Sequence, residues 1–391
     1  LIKLLPLIFV SLIWFFIGWF SSGLFQPLSN QLLTLPAEQQ RVLKAYQLLE
    51  SRQLLLHHPA TRTPTPARLA DAAISGMLVE SQDKYADLYG PFATDRYRAG
   101  YASAIGMTDL RFDIIDGKRV VTEVPPESAA QVAGVAVGDI LLGLDGIDFS
   151  HSVGGYEIAT LLRGPVGSTY ELTFQRGDQI LTRTVTRKPW HYLTHQLLRD
   201  DIGYLKTEYF FADHTAEAVQ AIIDEFTQAN IQALIWDLRD NSGGSSAVAE
   251  TLLSYFREPG ALLYTVEFKD GTRRAFTAQG EAAFAAIPIA VLINEETWSA
   301  GEIAAAAMAE RPFTILIGTT SAGKGVIQDT VELDKSRMLH FTIAKWFTPT
   351  GAWLHEVGLA PEIARQDNPL TAQDEVLDAA IDYIDQLLAK E

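Results

Sequence analysis

The chain of 391 residues reads as a multidomain α+β protein: an apolar N-terminal segment, a small helical region, a strand-rich domain and an α/β layer. Three observations predict this. Leu4 to Phe20 carries no charge and is almost wholly apolar. Short alternating segments broken by turn residues fill 100–188. From Asp201 onward, apolar strands alternate with helical periods, the pattern of a largely parallel sheet. Composition narrows the partners. A net charge of −17 repels phosphate and argues against nucleic acid. The absence of cysteine removes disulfides, thiol nucleophiles and cysteine–metal sites, and no histidine spacing suggests a metal, so no cofactor is expected.

The elements follow in order. With the Ser-Ser-Gly-Leu-Phe after it, the apolar segment reaches the roughly 20 residues that span a bilayer, and Lys3 precedes it. Residues 1–30 are therefore expected to be a membrane anchor or signal segment, leaving the rest outside the cytoplasm, whether periplasmic, lumenal or extracellular. Region 31–99 should be helical: Val42, Leu43, Tyr46 and Leu49 recur at helical spacing within 37–56, and 67–78 forms a second helix. In 100–188, strands are expected at 119–124, 140–144 and 170–176, with helices at 128–134 and 156–162. In 189–391, strands at 202–206, 233–238, 289–294 and 313–317 alternate with helices at 216–228, 245–256 and 302–310.

The stretch GTTSAGKG, Gly318 to Gly325, offers three roles for Lys324. A phosphate-binding loop needs Ser or Thr after the lysine and then a helix; here Gly325 and a β-like run follow. A Ser321–Lys324 pair needs a helix to bring both side chains to one face, and the glycines deny it. The third role looks upstream, to Ser299-Ala-Gly-Glu302. Ser299 falls at a strand–turn–helix junction, where the Ala300 N–H is an unpaired helix-start donor suited to an oxyanion. An ordinary capping box of Ser299 and Glu302 explains the same residues. Lys324 could serve Ser299 as a base only when neutral, which burial promotes. Gln328, four residues on, could point to the same side and hold the amine.

Taken together, these residues resemble the carboxyl-terminal processing proteases, or tail-specific proteases, which are serine endopeptidases with a Ser–Lys dyad. The resemblance rests on Ser299-Ala-Gly-Glu-Ile, on Lys324 placed 25 residues later, and on Gln328. Asp237-Leu-Arg-Asp-Asn241-Ser-Gly243-Gly244, Thr348-Pro-Thr-Gly351 and Gly358-Leu-Ala-Pro361-Glu362 resemble further family segments. Ile105-Gly106-Met107, Ser128 to Gly134, Gly138-Asp139-Ile140, Asp145-Gly146 and Arg163-Gly164-Pro165 resemble its PDZ domain. The similarity spans about 37–388. Three departures stand out: Trp298 where a small residue is usual, Lys84 where proline usually follows the aspartate, and a less regular PDZ carboxylate-loop pattern at Ala104-Ile105-Gly106.

The resemblance implies a PDZ domain over 100–188 and an α/β serine protease core with a C-terminal helix over 189–391. It implies Ser299 as nucleophile, Lys324 as base and Gln328 as its orienting partner. The oxyanion hole would be made by Ala300 and the Gly243-Gly244 turn. Ile105, Gly106 and Met107 would bind the free, apolar C-terminus of a protein or peptide substrate. Asp237 and Arg239 would brace the fold. A catalytically inactive PDZ-bearing binding protein or chaperone, and a small-acyl esterase, are the other classes compatible with the residues.

Overall fold

The computed structural model describes residues 36–52, 65–99, 105–107, 110–149, 155–190, 192–211, 215–368 and 373–389. The apolar segment 1–30 lies outside them, and among the described residues no helix is long and apolar enough to cross a membrane. Residues 1–74 and 75–391 form two compact units. In the first lies helix α1 (Ala37–Arg52), with Val42, Leu43 and Leu49 exposed. Helix α2 spans Pro66–Ser81.

The second unit begins with strand β1 (Asp87–Tyr89) and helix α3 (Pro91–Ala99). The strand-rich domain then comprises β2 (Ile105–Met107), β3 (Arg111–Ile115), β4 (Lys118–Glu123), α4 (Ala129–Val132), β5 (Ile140–Leu144), β6 (Ile147–Asp148), α5 (Gly155–Leu162), β7 (Gly164–Pro165), β8 (Thr169–Arg176), β9 (Gln179–Thr186) and β10 (Lys188–Pro189). The larger sheet has the order β3-β4-β5-β8-β9, with β6 on β5, and the smaller β10-β2-β7. Alternation along β8 puts Tyr170, Leu172 and Phe174 in the core with Phe149, Ile158 and Leu161. The turn motifs are structural. Ser128 caps α4, accepting from Gln131 N–H at 3.1 Å. Buried Asp139 accepts from Arg176 Nε at 2.7 Å and Nη2 at 2.8 Å, a bidentate pair fixing the start of β5 on the end of β8.

The core domain adds β11 (Leu193–Arg199), β12 (Ile202–Thr207), α6 (Thr215–Gln228), β13 (Ala233–Asp237), α7 (Ser246–Phe256), β14 (Leu262–Phe268), β15 (Arg273–Thr277), β16 (Ile289–Ile293), α8 (Ala300–Ala309), β17 (Thr314–Gly318), β18 (Val326–Asp334), β19 (Arg337–Phe347), β20 (Ile363–Ala364) and α9 (Glu375–Leu388). Its main sheet runs β11-β12-β13-β16-β17-β20, parallel except at the β11–β12 edge. The unbroken apolar runs follow from burial on both faces. Leu234, Trp236, Ile289, Val291 and Ile293 face the core shared with α6, α7 and α8. Ala233, Ile235, Ala290 and Leu292 face Val376, Ala380 and Ile384 of α9. A second sheet, β1-β19-β14-β15 with β18 on β19, is not foreshadowed in the sequence as a sheet. Segments such as Arg273-Arg-Ala-Phe-Thr lie half in water and lack a clean apolar run.

Candidate active site

Strands β13, β16 and β17 run parallel, and the loops leaving their C-terminal ends meet, which is where open α/β sheets gather ligand-handling residues. The loop after β16 delivers Ser299 as the residue before α8, whose first residue, Ala300, comes two residues earlier than the helix start expected at Glu302. Its backbone is held at φ 53° and ψ −113°. Non-glycine residues avoid that region, at a cost of about 1–3 kcal/mol. Nucleophilic serines on sharp strand-to-helix turns adopt the same kind of strained geometry. Neighbouring contacts enforce it. Trp298 N–H donates to the Asn241 carbonyl at 2.8 Å, Thr297 Oγ1 donates to the Leu238 carbonyl at 2.8 Å, and Gly243 packs on Ser299 so closely that an added Cβ would lie 3.0 Å from Ser299 Cβ.

Glu302, wholly buried, ties this turn to the lysine loop. It accepts from Ser299 N–H at 2.9 Å, and from Ser321 Oγ, Gly323 N–H and Lys324 N–H at 2.7 Å each. Burial pushes its carboxyl pKa up, and these four donors oppose the push. Two indoles hold the lysine from the other side: Trp346 Nε1 donates to the Lys324 carbonyl and Trp353 Nε1 to the Gly325 carbonyl, both at 2.8 Å. Gly325 is required there, because a Cβ would fall 2.7 Å from the His355 nitrogen. The amine itself is buried, 5.0 Å from the Tyr85 ring centroid and 5.1 Å from that of Tyr156. Burial pulls its pKa down to about 8, against the raising influence of Glu302 and Asp83.

The expected partners are placed differently. Lys324 Nζ donates to Tyr156 Oη on α5 at 2.7 Å, and no hydrogen bond joins it to Ser299 among the described residues. Gln328 lies on β18 as expected, but its Nε2 donates to Thr342 Oγ1 at 3.2 Å rather than meeting the amine. Asp83 explains this, accepting from Thr342 N–H at 2.8 Å and Oγ1 at 3.0 Å, so the threonine is fixed as a competing acceptor. In the glycine turn, Gly243 N–H is taken by Asn241 Oδ1 at 2.8 Å, leaving Gly244 N–H and Ala300 N–H as the donors without a partner among the described residues. Ile105, Gly106 and Met107 form β2, which has β7 on one edge and β10 on the other. A tail adding a strand at β2 must replace one of these. Arg239 braces the turn, binding Asp237 at 2.6 Å and Asp374 at 2.8 Å.

Sequence reasoning did not find Tyr156, Tyr85 or the joining role of Glu302. The first two come from elements far from the motif. Helix α5 reaches the lysine because Asp87 Oδ2 accepts from Glu157 N–H at 2.8 Å and Glu157 Oε1 from Gly90 N–H at 2.6 Å. A second tie is Arg111 on β3, 2.7 Å from Glu296, 3.1 Å from Glu123 and 3.3 Å from Asp240.

A serine on a strained strand-to-helix turn, a buried lysine and backbone N–H groups without partners among the described residues are parts from which a serine hydrolase site could be built. Comparison with known proteins agrees. The model of Peptidase family S41 matches residues 201–365, and a PDZ domain model matches 120–176. The chain is a serine-type peptidase, with residues 201–365 similar to peptidase family S41 and 120–176 to a PDZ domain. It is 29% identical over 322 residues to carboxy-terminal processing protease CtpA of Bacillus subtilis, covering 81% of this chain and 68% of the relative. It is 31% identical to carboxyl-terminal-processing peptidase 2, chloroplastic, of Arabidopsis thaliana, covering 74% and 59%. In fold it is similar to a photosystem II D1 C-terminal processing protease, with a TM-score of 0.60 at 22% identity over 88% of this chain and 97% of that one.

Proposed function

We propose that the protein is an endopeptidase that cuts protein substrates near their C-termini with a Ser299–Lys324 dyad. One observation carries the reading: a serine held at φ 53° shares a buried carboxylate, through backbone N–H groups, with a lysine whose pKa is drawn down to about 8. Neutral Lys324 takes the Ser299 proton as Oγ attacks the scissile carbonyl, then returns it to the leaving amine. Ala300 and Gly244 N–H groups receive the oxyanion. Before attack, the amine must exchange the Tyr156 hydroxyl for that of Ser299, and Gln328 must leave Thr342 if it is to orient the amine.

The PDZ domain captures the substrate's free, apolar tail, whose strand pairs with β2 in place of a present neighbour. The relatives' names, which speak of C-terminal processing, support this substrate class. The test is cleavage of an unstructured protein with an apolar C-terminus by the parent, by Ser299→Ala and by Lys324→Ala. The parent should cut, both folded variants should be inert, and amidating the tail should slow the parent. Cleavage by either variant at the parent's rate would sink the dyad.

A further inference from the structure

Beside the lysine lies a groove of about 540 Å³. Its lining is mixed: Tyr85, Val326, Leu339 and Phe341 supply apolar surface, and Asp83, Thr342 and His355 are among its polar residues. It adjoins the catalytic machinery at three points. The Tyr85 ring lies in the lining and also 5.0 Å from Lys324 Nζ. Val326 follows Lys324 by two residues, and His355, also in the lining, abuts Gly325. Asp83 and Thr342 line it as well, and Thr342 holds Gln328. At its mouth Lys84 Nζ meets Glu356 Oε1 at 3.0 Å, and the same ammonium stands 5.2 Å from the Tyr85 ring.

We infer that the groove receives the substrate residues immediately after the scissile bond, seating an uncharged apolar side chain beneath the Lys84–Glu356 pair. This rests on the peptidase reading above. The chemistry fixes the side. The group that protonates the leaving nitrogen must stand on the leaving-group side, so the released segment runs away from Lys324 along the surface next to it. Inside, the lining gives a side chain apolar area. At the mouth the two charges cancel each other, and inside, the Asp83 carboxylate is already engaged by Tyr85 N–H, Thr342 N–H and Thr342 Oγ1, so a charged side chain gains a partner only by breaking bonds already made.

The experiment uses three peptides that differ only in the residue after the scissile bond: Leu, Lys or Glu. The parent should cut the Leu peptide best. Lys84→Glu leaves two carboxylates at the mouth and should raise the Lys-to-Glu ratio of kcat/KM by about fivefold, while Glu356→Lys should lower it by about as much. Both positions are exposed, so both variants should fold. A ratio unchanged in both variants, with a parent that cuts, overturns the groove assignment and leaves the peptidase reading standing. A parent that cuts no peptide and no unstructured protein removes the peptidase reading, and the groove assignment falls with it.

Discussion

Lys324, the proposed base, holds its amine 5.0 Å from the Tyr85 ring centroid and 5.1 Å from that of Tyr156. With a pKa near 8 in the folded chain and 10.5 ordinarily, it is more often protonated in the unfolded chain between those values. Stability should therefore rise with pH from about 8 to 10.5 and be flat in this respect below. Activity should rise with pH on the way up to about 8 and then level, as measured by kcat/KM across a pH series. Lys324→Met should abolish cleavage, flatten that stability slope and raise stability at pH 7 by about 2 kcal/mol, because a charge no longer sits in a buried site. Thermal melts at pH 7 and pH 10 check it. His340 will not substitute as a base partner. Burial and the nearby Lys324 push its pKa down to about 4, and its Nδ1 is engaged with Thr330 Oγ1 at 2.8 Å.

At the scale of elements, α5 matters more than its eight residues suggest. Its C-terminal carbonyls are held by Arg187, which donates from Nε to Leu162 and from Nη2 to Leu161, both at 2.9 Å. Fixed at both ends, the helix holds the Tyr156 hydroxyl on the Lys324 amine. Tyr156→Phe removes that bond and keeps the ring. If the amine must leave the phenol to reach Ser299, the variant should cut subsaturating substrate about fivefold faster, the worth of one net hydrogen bond. A slower variant would mean that the phenol aids the base. The Gly243-Gly244 turn is the opposite case, an element with no slack. A Cβ on Gly244 would lie 2.5 Å from the Phe210 carbonyl oxygen, and its φ is 120°. Gly244→Ala should therefore lower kcat by about tenfold or more through a displaced oxyanion donor, with a smaller change in KM.

Over the whole molecule, what could be read from the sequence follows the physics of burial. Parallel strands covered on both faces left continuous apolar runs, so Ala233–Asp237 and Ile289–Ile293 were legible. The strand–turn–helix junction at Ser299 and the glycine-flanked loop at Lys324 could be located because their turn chemistry is local. The sheet built on β19 was not, because its strands are partly exposed and carry charges at 273, 274, 337 and 345. Nor was the contact of Tyr156 with Lys324, which joins residues 168 apart through two domains. The central sheet should carry most of the stability. Trp236, fully buried, donates Nε1 to Thr207 Oγ1 at 3.1 Å, and Trp236→Ala should cost about 3–5 kcal/mol in chemical denaturation.

Arg111 gathers three carboxylates around one guanidinium at the junction of β3 with the loops that carry Asp240 and Glu296. All four side chains are partly open to solvent, so dissolved ions compete for them, unlike the buried bonds of Glu302. Ionic strength thereby acts as a local solvent of one seam. At molar salt, amide exchange should quicken along β3 and the loop at 294–298 while β13 and β16 stay protected.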